Sequence, residues 1–324
     1  MAEAIRIHNT GGPEVMSCEE LTVGRPGPGE VLVRHRYVGV NFVDVYHRRG
    51  LYKLPLPSGL GSEASGVVEA VGPGVTDLQP GVRVAYGTGP VGAYAQARLV
   101  PAERLVRLPD DIDDRTAACI MLKGLTAQYL LLQTAHLEPG ETILFHAAAG
   151  GVGQIACQWA KHLGVKVIAT VGTDEKAALA RANGCDQVIV YTREDFVERV
   201  RQITGGRGVR VVYDSVGRDT FQGSLDCLQP RGLLIMFGQS SGMVPLFDLT
   251  TLSIKGSLYL TRPTLAAYAA NPEALRNMAG DLFQVVRSGA VRIQAPRQFP
   301  LREAAAAHAA LESRQTTGSL VLAV

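Results

Sequence analysis

The pattern of apolar residues changes at about residue 126. Before that point, short apolar runs such as Val31-Leu32-Val33 and Gly66-Val67-Val68-Glu69-Ala70-Val71 are separated by turns such as Gly72-Pro73-Gly74. Short strands at this spacing are typical of a small, partly closed β-barrel. After residue 126, strand-like apolar runs alternate with helical segments, which is typical of a doubly wound parallel sheet.

The alternating part contains six strand candidates with helices between them. The predicted strands are 142–147, 166–171, 187–191, 209–214, 232–238 and 254–260. The predicted helices are 152–163, 175–183, 194–204 and 218–228. Beyond Thr261-Arg262-Pro263, the sequence predicts helices at 273–288 and 302–313, and then a strand at 318–324 that returns to the first domain. The predicted fold is α/β, with a β-barrel domain of residues 1–125 plus 262–324 and a sheet domain of residues 126–261.

One glycine-rich turn organises the sheet domain. The apolar run Ile143-Leu144-Phe145 leads into Gly150, Gly151 and Gly153, after which the pattern becomes helical. Glycine lets the backbone approach a pyrophosphate, and a helix N-terminus supplies free N–H groups and partial positive charge. We therefore expect Gly150, Gly151 and Val152 to bind a dinucleotide, although Ala148 replaces the first glycine of the G-x-G-x-x-G pattern.

The end of the second predicted strand favours NADP over NAD. NAD sites place a carboxylate about 20 residues beyond the glycines, where this chain has the uncharged Gly172 and Thr173. Asp174 and Glu175 weaken the inference, but they also suit the start of the next helix. The residues predicted to surround the 2′-phosphate are Gly172, Thr173, Lys176, Tyr191 and Arg314.

Composition narrows the class of protein. The 324 residues are 46% hydrophobic and 19% charged, with a net charge of +2 and no basic tract, so we expect a folded protein without a nucleic-acid surface. The five cysteines are scattered and odd in number, which fits a reducing compartment. No signal peptide and no apolar run of about 18 residues is present, so we expect a cytoplasmic protein without a membrane span.

Motifs along the whole chain carry a family resemblance. They lie at 11–15, 41–46, 49–52, 61–66, 123–126, 147–153, 213–217 and 256–259. With them, the sequence resembles the zinc-free medium-chain dehydrogenases/reductases of the quinone oxidoreductase (ζ-crystallin-like) branch, and the bacterial NADPH:quinone reductases in particular. The resemblance implies a GroES-like catalytic domain and a Rossmann NADP-binding domain. It also accounts for Ala148, because that branch resembles A-x-x-G-G-x-G at this turn.

The resemblance argues against a metal site. Zinc members of the superfamily bind the metal through Cys and His side chains, whereas Asn41 or its neighbours and Ser62 occupy those positions here. The seven histidines show no ligand spacing. We expect no metal, and we expect Glu63 to be a structural carboxylate paired with an arginine.

The implied reaction is hydride transfer from NADPH to a quinone. The resemblance places Asn41, Tyr46, Tyr52 and Thr126 at the nicotinamide end, in the cleft between the domains, with the first three as catalytic residues. Each of those three has a structural alternative, since Asn41 could cap a helix, Tyr46 could lie in the core and Tyr52 could lie in a surface loop.

Further cofactor contacts are expected where the later strands end. The residues that follow strands four, five and six are Ser215, Phe237, Gly238, Gln239, Ser240, Leu260 and Thr261. Phe237 could equally serve packing alone.

The sequence leaves alternatives open for the oligomeric state and for the function. The edge strand 254–260 predicts a homodimer, unless the chain's own C-terminal helices cover that edge. Besides a quinone reductase, the sequence is compatible with a zinc-free enoyl or enone reductase, and with a non-catalytic NADPH-binding protein of crystallin-like or RNA-binding type. The lack of a basic stripe argues against RNA.

Overall fold

The computed structural model describes residues 1–313 and 316–324. The chain forms two compact units. The first comprises Met1–Leu125, Tyr268–Arg287 and Ile293–Val324, and the second comprises Thr126–Ala267 and Ser288–Arg292. Residues 262–267 and 288–292, which the sequence places in the first domain, lie in the second unit.

The elements are numbered along the chain. The strands are β1 (Ala2–Ile7), β2 (Met16–Leu21), β3 (Glu30–Val40), β4 (Ser58–Gly59), β5 (Glu63–Val71), β6 (Arg83–Tyr86), β7 (Ala97–Pro101), β8 (Val106–Arg107), β9 (Thr142–His146), β10 (Lys166–Val171), β11 (Gln187–Val190), β12 (Val209–Asp214), β13 (Leu228–Met236), β14 (Tyr259–Thr261), β15 (Arg297–Pro300) and β16 (Leu320–Ala323). The α-helices are α1 (Phe42–Arg48), α2 (Asp114–Gln128), α3 (Gly151–His162), α4 (Asp174–Ala182), α5 (Phe196–Thr204), α6 (Phe221–Asp226), α7 (Thr250–Ile254), α8 (Leu265–Tyr268), α9 (Pro272–Arg287) and α10 (Ala304–Glu312). Short 3₁₀-helices lie at Pro13–Val15, Ala102–Arg104 and Leu301–Glu303, and a π-helical segment lies at Tyr129–Thr134.

The first unit is built on a largely antiparallel sheet. Its strands follow the order β15-β16-β3-β5-β6-β8, and β7 also pairs with β3. Strand β3 alternates the buried Val31 and Val33 with the exposed Arg34 and Arg36, because successive side chains of a strand point to opposite faces. Its buried face contributes to the apolar core of this unit.

The C-terminal strand lies inside this sheet, as the sequence predicts. Strand β16 pairs antiparallel with β3, with Leu320 opposite Val40, and pairs in parallel with β15 on its other side. Leu320, Val321 and Leu322 are buried. The first unit is therefore completed by residues from both ends of the sequence.

The second unit is a parallel sheet with the order β11-β10-β9-β12-β13-β14. Counted within the unit, this is the order 3-2-1-4-5-6 of dinucleotide-binding folds. The predicted strands 166–171 and 209–214 have the bounds of β10 and β12. Their residues are buried almost without interruption, since helices cover both faces of such a sheet.

The sixth strand is shorter than predicted. Residues 250–254 form helix α7, and the strand is only Tyr259–Thr261. Gly256 and Ser257 have φ angles of 111° and 57°, which an extended strand does not contain, so the prediction of a strand over 254–260 is wrong. In the described part of the chain, no helix is both long enough and apolar enough to span a membrane.

Candidate active site

The glycine turn joins β9 to α3. Ala147, directly after β9, has a left-handed φ of 54°, and Gly150 is the extended N-cap of α3. A Cβ on Gly153 would lie 2.6 Å from the carbonyl oxygens of both Ala147 and Ala148, so this position has room only for glycine. The first N–H groups of a helix have no partner within it, so the start of α3 presents donors to an anion.

Topology brings most of the predicted cofactor residues to one edge of the second unit. The carboxyl ends of parallel strands lie at the same edge of a sheet, which is where such folds bind ligands. The predicted residues that end these strands, or lie in the loop or the first helical residues after them, are Gly150, Gly151, Val152, Gly172, Thr173, Tyr191, Ser215, Phe237, Gly238, Gln239, Ser240 and Thr261.

The residues predicted for the 2′-phosphate lie close together after β10 and β11. Thr173 is the N-cap of α4, and its Oγ1 accepts a hydrogen bond of 3.3 Å from the Lys176 N–H. A Cβ on Gly172 would lie 2.9 Å from the Tyr191 hydroxyl, so the missing side chain leaves room for that hydroxyl. Tyr191 is 49% exposed and accessible to a ligand. Arg314 lies outside the described residues.

Arg193 is a cation in this region that the sequence did not single out. Its Nη1 and Nη2 donate to Asp174 Oδ2 and Oδ1 at 2.7 and 2.5 Å. These hydrogen bonds lower the pKa of the Asp174 carboxyl and also neutralise its charge near Thr173. The signal was available, because Arg193 is two residues beyond Tyr191, in the segment after the strand adjacent to β10.

The loops after β12 and β13 are bonded to each other. Ser240 N–H donates to the Ser215 carbonyl at 3.1 Å, and a Cβ on Gly238 would lie 2.8 Å from that same oxygen. Gln239 is buried and accepts a hydrogen bond of 3.0 Å from Arg262. The Phe237 ring packs at 5.7 Å from that of Phe145, so it has at least a packing role.

A buried carboxylate holds the loop after β12. Asp214 Oδ1 accepts from the N–H groups of Val216 and Gly217 at 2.8 and 3.0 Å. Its Oδ2 accepts from the hydroxyls of Thr220 and Ser224, both at 2.7 Å. Asp214 is fully buried and therefore fixes the backbone next to Ser215. The sequence marked it only as part of a motif, since its partners are not visible in a periodic pattern.

Two predicted residues lie apart from those loops in the second unit. Leu260 pairs with Leu234 in the edge strand β14 and is 36% exposed. Thr126 is 7% exposed and lies in α2.

Asn41 is held at both its backbone and its side chain in the first unit. It is the N-cap of α1, as the structural alternative predicted, and its N–H donates to Asp44 Oδ2 at 2.8 Å. Its Nδ2 donates to Glu63 Oε2 at 2.9 Å. Because an ionised carboxylate only accepts hydrogen bonds, Glu63 fixes which end of the amide faces it.

Glu63 pairs with a lysine, so the expectation of an arginine partner is wrong. Its Oε2 also accepts from Lys123 Nζ at 3.1 Å, and its Oε1 accepts from Leu122 N–H at 2.8 Å. Both charged side chains are buried, Glu63 at 0% and Lys123 at 5% exposure. Burial of a charge requires a partner of opposite charge and good hydrogen bonds, and Lys123 supplies that partner from α2, 60 residues away along the sequence.

The two predicted tyrosines contact each other. The rings of Tyr46 and Tyr52 lie 5.3 Å apart in an edge-to-face arrangement, and Tyr52 N–H donates to the Tyr46 carbonyl at 3.2 Å. Tyr46 is 9% exposed and Tyr52 is half-buried. Helix α1 and the turn after it therefore carry Asn41 and both tyrosines together.

Burial shifts the pKa values of Asp44, which is part of α1, and of His308 in α10. It raises the pKa of Asp44 to about 7, against the opposing effect of the hydrogen bonds from Asn41 N–H and the Tyr94 hydroxyl. Burial, together with the charge of Arg48, lowers the pKa of His308 to about 3. Within the described ranges 1–313 and 316–324, no group of three His, Cys, Asp or Glu residues could hold a metal ion.

Comparison with known proteins places the chain in a family. Residues 27–110 match the alcohol dehydrogenase GroES-like domain, and residues 151–279 match the zinc-binding dehydrogenase family. The chain is 55% identical to a quinone oxidoreductase of Pseudomonas aeruginosa, over 99% of both chains. It belongs to the quinone oxidoreductase family.

Two further relatives of this family are informative. A solved structure of Escherichia coli quinone oxidoreductase complexed with NADPH superposes with a TM-score of 0.98 at 49% identity, over 99% of this chain and 100% of that one. A 2-haloacrylate reductase of Burkholderia sp is 50% identical over 99% of both chains. The predictions of the family and of the two-domain fold are thus confirmed.

Proposed function

We propose that the protein catalyses the NADPH-dependent reduction of quinones by hydride transfer. The observation that carries this proposal is the near full-length similarity to quinone oxidoreductases, among them a protein crystallised with NADPH. The glycine turn supports it, and so does the strand end at Gly172 and Thr173, which carries no charged side chain. Both features suit a phosphorylated dinucleotide.

Each predicted site residue has a role in this proposal. Bound NADPH would supply the hydride. The N–H groups at the start of α3 would bind the pyrophosphate, and Lys176, Tyr191 and Arg314 would bind the 2′-phosphate. The residues proposed for the rest of the cofactor are Asn41, Thr126, Ser215, Phe237, Gly238, Gln239, Ser240, Leu260 and Thr261.

Because the proposed acceptor is a quinone, we expect Asn41, Tyr46 and Tyr52 to suffice as catalytic residues. A quinone takes hydride readily because its own ring stabilises the resulting anion. The protein then has to orient the acceptor, exclude water and place donors near the developing oxyanion. The two tyrosines offer aromatic surface and hydroxyls, and Asn41 offers an amide of fixed orientation. Solvent can supply the final proton.

A spectrophotometric assay tests the proposed reaction. NADPH oxidation should be observed with 1,2-naphthoquinone and with 9,10-phenanthrenequinone. Tight NADPH binding without turnover of any acceptor would refute the proposal and favour a non-catalytic NADPH-binding protein.

A second candidate is the reduction of an activated C=C bond. The 50% identity to a 2-haloacrylate reductase favours it, because a haloacrylate is an alkene activated by a carboxylate. An enone and 2-chloroacrylate should be assayed beside the quinones. A higher kcat/KM for either alkene would make this second reaction the principal one.

The preference for NADPH is tested at Lys176. Replacing Lys176 with alanine removes a cation proposed to face the 2′-phosphate, so NADPH should bind about tenfold more weakly, which corresponds to about 1.4 kcal/mol. NADH binding should change little. Lys161→Ala is the matched control, since Lys161 is bonded to Asp186 at the other end of α3. Equal effects on both dinucleotides would show that Lys176 does not bind the phosphate.

We also propose that two copies associate through the edge strand, first predicted at 254–260. Strand β14 is at the edge of its sheet, and its pairing groups can accept a second copy. Tyr259 and Leu260 of β14 are exposed apolar residues, and so are four residues of the segment that leads into this strand, Met243, Leu246, Leu249 and Ile254. Exposed apolar side chains at this density are typical of an interface. Light scattering should give twice the mass of one chain.

A cytoplasmic location is proposed from the cysteines. All five are free thiols, and Cys119, Cys157, Cys185 and Cys227 are buried. Free thiols persist in a reducing compartment. Fractionation that placed the protein outside the cytoplasm would contradict this proposal.

A further inference from the structure

A buried network in the first unit connects α1 to α10. It consists of Asp44 and Arg48 of α1, Tyr94, and His308 of α10. No member is more than 1% exposed. Tyr94 Oη lies 3.0 Å from Asp44 Oδ2 and 2.9 Å from His308 Nε2, and His308 Nδ1 lies 2.9 Å from Arg48 Nη1.

The chemistry of the side chains fixes which atom donates and which accepts in each hydrogen bond of this buried network. Arginine only donates, so His308 Nδ1 has to accept and the imidazole proton lies on Nε2. That Nε2–H donates to the Tyr94 oxygen, and the Tyr94 hydroxyl then donates to Asp44. His308 is therefore neutral, and it connects the positive Arg48 to the carboxylate of Asp44 through one phenol.

The buried network is not a route for protons. Its outer end is a guanidinium, which does not release a proton in proteins, so no proton can be passed inward from Arg48. What the buried network can do is fix positions. Hydrogen bonds with charged partners are short and directional, and they are stronger than neutral ones in a buried setting.

The element that the buried network positions is α1. This helix has only seven residues, and so short a helix depends on tertiary contacts for its position. Asp44 and Arg48 are one turn apart, so the buried network holds α1 at two points. Asp44 Oδ2 also accepts the N–H of Asn41, the residue that begins the helix.

We propose that His308 is a positioning residue that sets Asn41 and Tyr46 for the hydride acceptor. This inference rests on the proposed function of those two residues. The hydrogen bonds of His308 go to Tyr94 and Arg48. It acts through Tyr94 and Asp44 on the N-cap of α1, and through Arg48 on the C-terminal end of the helix.

Loss of His308 should leave α10 attached. Arg48 Nη2 also donates to Glu312 Oε2 at 2.8 Å, and Arg49 pairs with Glu312 Oε1 at 2.7 Å. Arg48 Nε further donates to the Gly11 carbonyl at 3.1 Å. A His308 variant therefore keeps three contacts around α1, and we expect it to fold.

The test compares three variants. His308→Leu removes both hydrogen bonds, whereas His308→Asn restores one donor and one acceptor. His35→Leu is the matched control, because His35 is a buried histidine of the same unit whose hydrogen bonds go to the Tyr86 hydroxyl and the Ala95 carbonyl, at 2.9 and 2.7 Å, rather than to α1.

The kinetic result should separate positioning from stability. His308→Leu should lower kcat for quinone about tenfold while the KM for NADPH changes less than about twofold, since misplacement of reacting groups affects the chemical step. His308→Asn should recover most of kcat. His35→Leu should keep the wild-type kcat although it also loses thermal stability. Equal losses of kcat in His308→Leu and His35→Leu would overturn the proposal.

A second measurement does not depend on the acceptor. Amide hydrogen exchange of residues 41–48 should become faster in His308→Leu and stay unchanged in His35→Leu. Unchanged protection of these residues in His308→Leu would overturn the inference even if kcat fell. A wild-type protein that reduces no quinone would instead overturn the proposed function, and the exchange result would then decide the positioning role alone.

Discussion

Asp44 lies in the first turn of α1, and its carboxyl group is buried among several polar and charged groups. The groups that face it are Asn41 N–H, the hydroxyls of Tyr94 and Ser62, the ammonium of Lys123 and the carboxylate of Glu63. Burial outweighs the groups that favour its charge, so its pKa is about 7. A carboxyl group with such a pKa changes its protonation near neutral pH.

This protonation should appear in the pH dependence of activity. The ionised carboxylate accepts the hydrogen bonds from Asn41 and Tyr94, and protonation weakens both. We therefore expect kcat for quinone to fall as the pH is lowered through about 7. Steady-state rates from about pH 5.5 to 9 measure this. In Asp44→Asn the inflection should disappear, and an unchanged profile in that variant would assign the titration to another group.

His35 makes a prediction about stability. Burial lowers its pKa from 6.5 to about 4, so between these values the unfolded chain binds more protons than the folded one. Its contribution to stability is complete above pH 6.5 and is lost as the pH falls toward about 4. His35→Asn should therefore flatten the fall of the urea midpoint across this window. An equally steep fall in the variant would contradict the assignment. Asp44 has the opposite slope, because its pKa is raised.

Substitutions at Arg193 and Asp174 test the proposed preference for NADPH over NADH. Arg193→Ala would leave the Asp174 carboxylate without its bidentate partner, near the proposed 2′-phosphate site. NADPH affinity should fall about three- to tenfold while NADH affinity is kept, since a nearby carboxylate repels the phosphate. The double variant Arg193→Ala/Asp174→Asn should recover most of the loss in a fluorescence titration. If the affinity for NADPH did not recover, the effect of Arg193 on binding would be independent of Asp174.

At the scale of elements, two glycines of the turn between β9 and α3 have different roles. Gly153 is required for steric reasons, and Gly150 is proposed to bind the cofactor. A Cβ on Gly153 would meet two carbonyl oxygens at 2.6 Å, whereas on Gly150 it would meet one at 3.1 Å. Gly153→Ala should lower stability by about 1–3 kcal/mol, because the backbone has to shift. Gly150→Ala should keep the thermal midpoint and weaken NADPH binding. Thermal unfolding and a NADPH titration of both variants distinguish these effects, and equal midpoints would contradict the steric argument.

The sheet of the second unit was predictable because its strands are buried on both faces. Continuous runs such as Lys166–Val171 and Val209–Asp214 end at glycines and polar residues, and their order places Gly150, Gly172 and Ser215 at one edge. The strand predicted over 254–260 was wrong because Ile254 ends helix α7 and the chain turns at Gly256 and Ser257. Tyr259 and Leu260 do lie in β14, but both are exposed. An apolar pattern alone does not distinguish a core from an interface.

The partners in the first unit were not predictable in the same way. Lys123 reaches Glu63 from 60 residues away, and His308 reaches Arg48 from 260 residues away. Such contacts depend on tertiary structure, and each side chain has an ordinary sequence context. Resemblance supplied Asn41, Tyr46 and Tyr52, but the groups that hold Asn41 required the structure.

At the scale of the whole molecule, the surface near β14 predicts assembly. Ile254 is 83% exposed at the end of α7, next to the edge strand. Ile254→Asp should weaken the proposed dimer, since a charge enters an apolar interface, and light scattering should then give the mass of one chain at low concentration. Leu56→Asp is the control, because Leu56 is an exposed apolar residue of the other unit. A dimer of unchanged strength in Ile254→Asp would place the interface elsewhere.

The position of β16 also has a consequence for biosynthesis. Strand β3 leaves the ribosome long before its partner β16. The sheet strands β9–β14 emerge together, so the second unit can complete its sheet during translation. Until residues 320–323 emerge, Tyr37–Val40 of β3 lack this partner, and an unpaired strand edge is a template for pairing with other chains. A nascent chain that stalls before residue 320 would therefore expose this part of β3, and a chaperone would have to protect it until β16 is made.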